Sequence, residues 1–295
     1  MRLRTMASAL GGLAALLAAP AAFGQDLELK GIPHPGGTGF QVAATEVARD
    51  LHWLEGFLLV IITVITLFVT ALLAYVVFRY NEKSNKTPAT FTHNSLVEVV
   101  WTVVPIVILV VIAIPSLQLL NKQMVIPDAD VTIKATGNQW YWSYEYPDSE
   151  FAFDSYMVAP GYKDFDTAMA EAGDEIEAAG VTRETWLLQT DTAVVVPVGK
   201  VVRLQVTGAD VIHSWAMPAF GVKIDAVPGR LNETWFQVDE PGVYFGQCSE
   251  LCGKDHAYMP IMVHAVPQAE YEAWLAKTAE MYAGVIPSMD VAALE

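Results

Sequence analysis

Two apolar runs fix the architecture before anything else does. Phe57 to Phe78 and Val99 to Leu120 each extend for 22 residues without a formal charge. As helices they are about 33 Å long, enough to cross a hydrocarbon core of about 30 Å. The chain is expected to span a membrane twice, with lipid as its first partner. Pro105 and Pro115 interrupt the second run. Either would break a helix in water, whereas a membrane helix tolerates them where its neighbours satisfy the freed backbone groups. They point to packing against another subunit.

The flanks orient this hairpin, residues 57–121. The loop from Arg79 to Ser95 carries Arg79, Lys83 and Lys86 against Glu82 alone, which places it in the cytoplasm and both long ends outside. Residues 1–24 have the layout of a secretory signal peptide: Arg2 and Arg4, an apolar run from Leu10 to Phe23, and small residues at Ala22 and Gly24. Cleavage near Gly24 leaves an exported segment, 25–56; an uncleaved anchor is the alternative. The expected location is a bacterial-type inner membrane, with the large domain and mature N-terminus on the periplasmic side.

Charge separates the same parts. The 295 residues hold 33 acids and 17 Lys and Arg, a net of −16. From Lys122 onward there are 26 acids and 10 bases, again −16. All of the excess acidity therefore belongs to the exported domain, and no nucleic-acid partner is expected.

After the second span the pattern changes to short runs rich in β-branched and aromatic residues: VTIKATG from Val131, WYWSYEY from Trp140, TAVVVPVG from Thr192, VVRLQVTG from Val201, ETWFQV from Glu233, VYFGQ from Val243 and IMVHAV from Ile261. Bounded by turn residues, they predict an antiparallel all-β sandwich or barrel over 122–267. A helical tail follows in 268–295, with Tyr271, Trp274 and Leu275 on one face. Between Glu150 and Glu184 lie nine acids and two bases. This insert reads either as a solvated loop with a short helix or as a docking surface for a basic partner.

The stretch GQCSELCGKDHAYMP holds the only two cysteines, Cys248 and Cys252, with His256 and Met259 after them. Their spacing suits one helical face, but Gly246, Gly253 and Pro260 and the strand-like flanks make it a loop between two strands. Two cysteines in an exported domain can form a disulfide. The neighbouring His256 and Met259, with His213 upstream in ADVIHSWAMP, instead suggest a copper electron-transfer site held by a sandwich. Zinc gains little from Met and carries no electron. Two thiolates can bridge two copper ions, each with one imidazole, from His213 and His256. Met259 is then one weak axial ligand, and the backbone carbonyl of Glu250 suits the opposite side.

QCSELCGKDHAYMP, together with HSWAMP, IDAVPGRLNET and GNQWYWSYEYP, resembles the copper A domain of subunit II of cytochrome c oxidase. The resemblance covers nearly all of the mature chain. It implies a two-helix transmembrane hairpin plus an all-β cupredoxin-like sandwich. It also implies a dinuclear copper A centre on His213, Cys248, Glu250, Cys252, His256 and Met259. The Glu250 carboxylate is implied to ligate a magnesium shared with subunit I. Trp140 becomes the point where electrons from cytochrome c come in, among the docking acids Glu145, Asp191 and Asp210. Glu98 marks the mouth of a proton path in subunit I. Subunits I and III are the implied partners in proton-pumping oxygen reduction, and the oxygen chemistry resides in subunit I. Asn138 and Ala209 depart from the family pattern, with Asn in place of His and Ala in place of an acid found in some relatives.

Three rival readings stay open on sequence: a quinol oxidase subunit II without copper, a membrane-anchored structural protein pinned by a Cys248 to Cys252 disulfide, and a copper chaperone. Retained soft ligands speak against the first and burial of those ligands against the last. His264 and Met262 read as structural, and His34, His52 and His93 lack paired ligands. Arg230, Asp225 and Asn232 gain a role, ordering propionates or water, only through the resemblance. No Cys-x-x-Cys-His occurs, so no covalent haem domain is fused here.

Overall fold

The computed structural model describes residues 27–282, so the proposed signal peptide and the last residues of the tail lie outside the described residues. The described residues form two compact units, one of residues 46–126 and one of 27–45 with 127–282.

The first unit is a helical hairpin. Helix α1, Glu46–Arg79, and helix α2, Ser95–Met124, both have the length and hydropathy of membrane spans. Helix α1 starts eleven residues before the apolar run, because EVARDLHWLEG continues in helical register ahead of it. Lys122 near the end of α2 donates to Glu46 and Asp50, each at 2.6 Å, and so joins the two helices where they leave the apolar zone. Helix α2 continues through Pro105 and Pro115.

The second unit is a sandwich of eleven strands: β1 Leu29–Gly31, β2 Val131–Asn138, β3 Tyr141–Tyr146, β4 Phe151–Ser155, β5 Val194–Pro197, β6 Val202–Gly208, β7 His213–Met217, β8 Val222–Ala226, β9 Asn232–Phe236, β10 Gly242–Gln247 and β11 Pro260–Val266. One sheet has the order β1-β10-β11-β5, the other β4-β3-β2-β6-β9, and β7 pairs with β8 alone. In β2, β3 and β6 alternate side chains are buried, as a half-covered sheet requires. Ile133, Trp142, Tyr144, Leu204, Trp215, Phe236, Tyr244 and Val263 form the core between the layers.

All seven sequence-derived strands form. The sandwich is mixed, however, since β2 with β6, β11 with β5 and β1 with β10 are parallel. Those partners are distant in sequence, and turn signals report only hairpins between neighbours. The segment 150–184 also differs from a solvated insert. It opens with β4, which pairs antiparallel with β3. It continues through helix α3, Phe165–Ala178, over a small core of Val158, Ala159, Ala168, Ile176 and Val181. Its acids line the outer side of a packed subdomain. Helix α4, Gln268–Met281, buries Tyr271, Trp274 and Thr278.

Candidate metal centre

The cysteine loop leaves β10 at Gln247 and returns into β11 at Pro260, residues that face each other in the ladder. Cys248 N–H donates to Met259 O at 3.1 Å, closing the base of the loop, and Ser249 N–H donates to Ser214 O at 3.0 Å, tying it to β7. Close approach of β10 to β7 depends on Gly246, where a Cβ would stand 2.0 Å from Ala216 O.

These ties bring the soft donors to one place. Cys248 Sγ lies 3.9 Å from Cys252 Sγ, 3.9 Å from His213 Nδ1 and 3.4 Å from Glu250 O. Cys252 Sγ lies 3.5 Å from His256 Nδ1 and 3.7 Å from Met259 Sδ. Both cysteines are free and buried, whereas a disulfide needs an S–S distance of about 2.05 Å. Two donors bound at about 2.0–2.3 Å with tetrahedral angles stand about 3.3–3.8 Å apart. The Cys252 to His256 and Met259 spacings and the Cys248 to Glu250 O spacing fall in that range, the two 3.9 Å spacings of Cys248 lie just above it, and three sulfurs with two imidazoles make a donor set suited to copper. The residues fit the dinuclear group.

The same domain gives a family match. Residues 131–266 match the family model described as cytochrome C oxidase subunit II, periplasmic domain, and residues 33–119 match the transmembrane domain of the same subunit. Cytochrome c oxidase subunit 2 of Cereibacter sphaeroides is 57% identical over 274 residues, covering 92% of this chain and 90% of that protein. The chain belongs to the cytochrome c oxidase subunit II family. The Zea mays subunit 2 is 43% identical over 251 residues, 82% of this chain and 89% of that one. Among solved structures, the periplasmic domain of subunit II of cytochrome oxidase of Bradyrhizobium japonicum shows 50% identity and a TM-score of 0.44, covering 54% of this chain and 99% of that one. As a subunit II, the protein is a two-span membrane component of an oxidoreductase complex in electron transport.

Within this subunit II the two thiols differ. Burial raises the Cys248 thiol, but His213, the Glu250 and Ser214 backbone and His256 outweigh it and bring it down to about 7. Burial and then the charge of Cys248 push Cys252 up to about 12. Without metal, Cys248 gives up its proton first and Cys252 keeps its own across the neutral range. Burial pulls His213 down, yet Cys248 and Asp210 raise it overall.

Two supports of this site escaped the sequence reading. Asp210 Oδ1 accepts from His213 Nε2 at 2.8 Å, which leaves Nδ1 facing the sulfur. Its other oxygen accepts from Gln139 N–H at 2.7 Å. A carboxylate on the far nitrogen is the usual orienting partner of a metal-binding histidine, and the Asp-x-x-His spacing was the available signal. Gly137 is the second: a Cβ there would meet three atoms of the His213 side chain at 2.8 Å.

The remaining residues fall as follows. Trp140 is half-buried beside the loop, its indole N–H donating to Cys252 O at 3.3 Å, while Gln139 Nε2 donates to the same oxygen at 2.8 Å. The Glu250 side chain is exposed. Glu145 is paired with Lys134 at 2.7 Å, and Asp191 accepts from Tyr156 N–H at 2.9 Å. Asn138 donates to Thr136 O and Ser143 Oγ. In the helical unit, Glu98 Oε1 accepts from Asn94 N–H at 3.3 Å and Asn94 Oδ1 from Val97 N–H at 3.2 Å, a capping pair at the start of α2.

Proposed function

We propose that this subunit receives electrons from cytochrome c and delivers them to haem in subunit I, where oxygen is reduced with proton pumping. The observation that carries the reading is the convergence of His213, Cys248, Cys252, His256 and Met259 at metal-ligand spacing. His213, Cys248, Cys252, His256 and Met259 would hold the copper, which would supply one-electron chemistry at this site. The protein supplies the frame. Asp210 holds the His213 tautomer, Gly137 gives the ring room, and the loop base at Cys248 and Met259 keeps the donors in place. The Trp140 indole is linked to the ligand loop through Cys252 O and forms the route inward from the surface.

On this reading the sandwich and the mature N-terminus lie on the periplasmic side, and residues 1–24 are a cleaved signal. Glu250 plays two parts, its carbonyl toward the copper pair and its exposed carboxylate toward a magnesium shared with subunit I. Glu98 lies at the mouth of a proton path. Subunits I and III are the membrane partners against which α1 and α2 pack. The reading is tested in the assembled oxidase by Cys252→Ser, which should abolish reduction of the haems by cytochrome c while leaving their spectra intact. Retained haem reduction would overturn it. Glu98→Gln should slow proton uptake, and unchanged turnover would remove that role.

A further inference from the structure

We propose that Lys254 governs the last step of donor approach, standing as a positive charge over the indole through which electrons enter. The inference rests on the reading of Trp140 above. Lys254 Nζ lies 5.4 Å from the centroid of the Trp140 ring, within the range of a cation–π contact. Its side chain is 76% exposed, so the ammonium sits on the solvent side of the half-buried ring. A second constraint comes from Gly253, at φ +130°, where a Cβ would stand 2.9 Å from Trp140 Cζ2. The indole is thus held by the loop backbone and capped by the lysine that follows it.

The local field differs from the charge of the whole domain. A net of −16 draws a basic haem protein toward this chain from a distance. Two of the acids have partners of their own: Glu145 pairs with Lys134, and Asp210, still a carboxylate, accepts from His213, Val211 N–H and Gln139 N–H. Asp255 pairs with Lys254 itself, at 3.4 Å. A basic donor steered in by the net charge meets the Lys254 ammonium, itself paired with Asp255, on the ring it must reach. Lys254 must swing aside for contact, which its exposure permits. The residue acts on donor choice and association and leaves the metal ligands untouched.

Removing one charge a few ångströms from a docking cation changes association by about two- to fivefold at low salt, and screening erases this within a Debye length of about 10 Å at 0.1 M. The test uses the assembled oxidase with Lys254→Gln, Lys254→Arg and, separately, Trp140→Phe, assayed with a basic cytochrome c at low and high ionic strength. Copper electron paramagnetic resonance serves as the check on the site. Lys254→Gln should raise kcat/KM by about two- to fivefold at low salt, with the gain lost at high salt, and Lys254→Arg should match the parent. An equal or lower kcat/KM for Lys254→Gln with a normal copper signal would overturn the proposal. If Trp140→Phe slows transfer and Lys254→Gln has no effect, the Lys254 proposal alone fails. If Trp140→Phe leaves transfer unaltered, the reading of Trp140 fails, and with it the basis of the Lys254 proposal.

Discussion

The indole N–H of Trp140 donates to the backbone carbonyl of Cys252, 3.3 Å away, so a half-buried aromatic ring is joined by one hydrogen bond to the ligand loop. Gln139 donates to the same oxygen at 2.8 Å, which fixes the loop and the β2–β3 turn to each other. Trp140→Phe keeps an aromatic ring, smaller than the indole, and removes the donor. Electron transfer from cytochrome c should fall by about tenfold or more, equivalent to about 1.4 kcal/mol of barrier, with an unchanged copper signal. Stopped-flow reduction of the oxidase reads this directly.

Gly137→Ala tests the packing behind His213. A methyl group 2.8 Å from three atoms of that side chain cannot be accommodated without moving the ring or the strand. Overpacking of this kind costs about 1–3 kcal/mol. The variant should melt earlier and show an altered copper spectrum, whereas a surface Gly199→Ala should leave the spectrum as it was.

Asp210→Asn separates docking from positioning. A residue that only attracts the donor would alter the salt dependence of association and leave metal affinity alone. Because Asp210 Oδ1 accepts from His213 at 2.8 Å, the substitution should weaken copper affinity by about 10- to 100-fold. Competitive copper titration against a chelator measures it.

The thiols give a pH dependence. With Cys248 at about 7 and Cys252 at about 12, the thiolate population of Cys248 grows as pH rises through 7. Cys252 stays protonated across the neutral range. Alkylation of the metal-free protein should therefore modify one cysteine with a midpoint near pH 7 and spare the other. Copper requires both as thiolates, so uptake at pH 8 should release at least one proton, and affinity should increase with pH. Two equal alkylation rates would contradict the asymmetry.

Much of this was legible in residue types alone. Lipid requires long uncharged runs, so the hairpin could be read from Phe57–Phe78 and Val99–Leu120. The ligand loop could be read because Cys, His and Met seldom gather without a metal to hold. What stayed hidden is non-local. The β2–β6 parallel pairing joins residues about 70 apart, and no turn residue reports it. FAFDS reads as part of an acidic insert until its pairing with β3 is seen. The demand for glycine at 137 arises from the His213 ring across the fold, and Asp210 reads as a docking acid until its two oxygens are traced to His213 and Gln139.

The most direct measurement is metal analysis with electron paramagnetic resonance on the full-length subunit, prepared reduced and loaded with copper. The account predicts two copper ions per chain and hyperfine structure from one electron shared by both nuclei. A single-copper spectrum, or a copper-free protein with Cys248 bonded to Cys252, would contradict it.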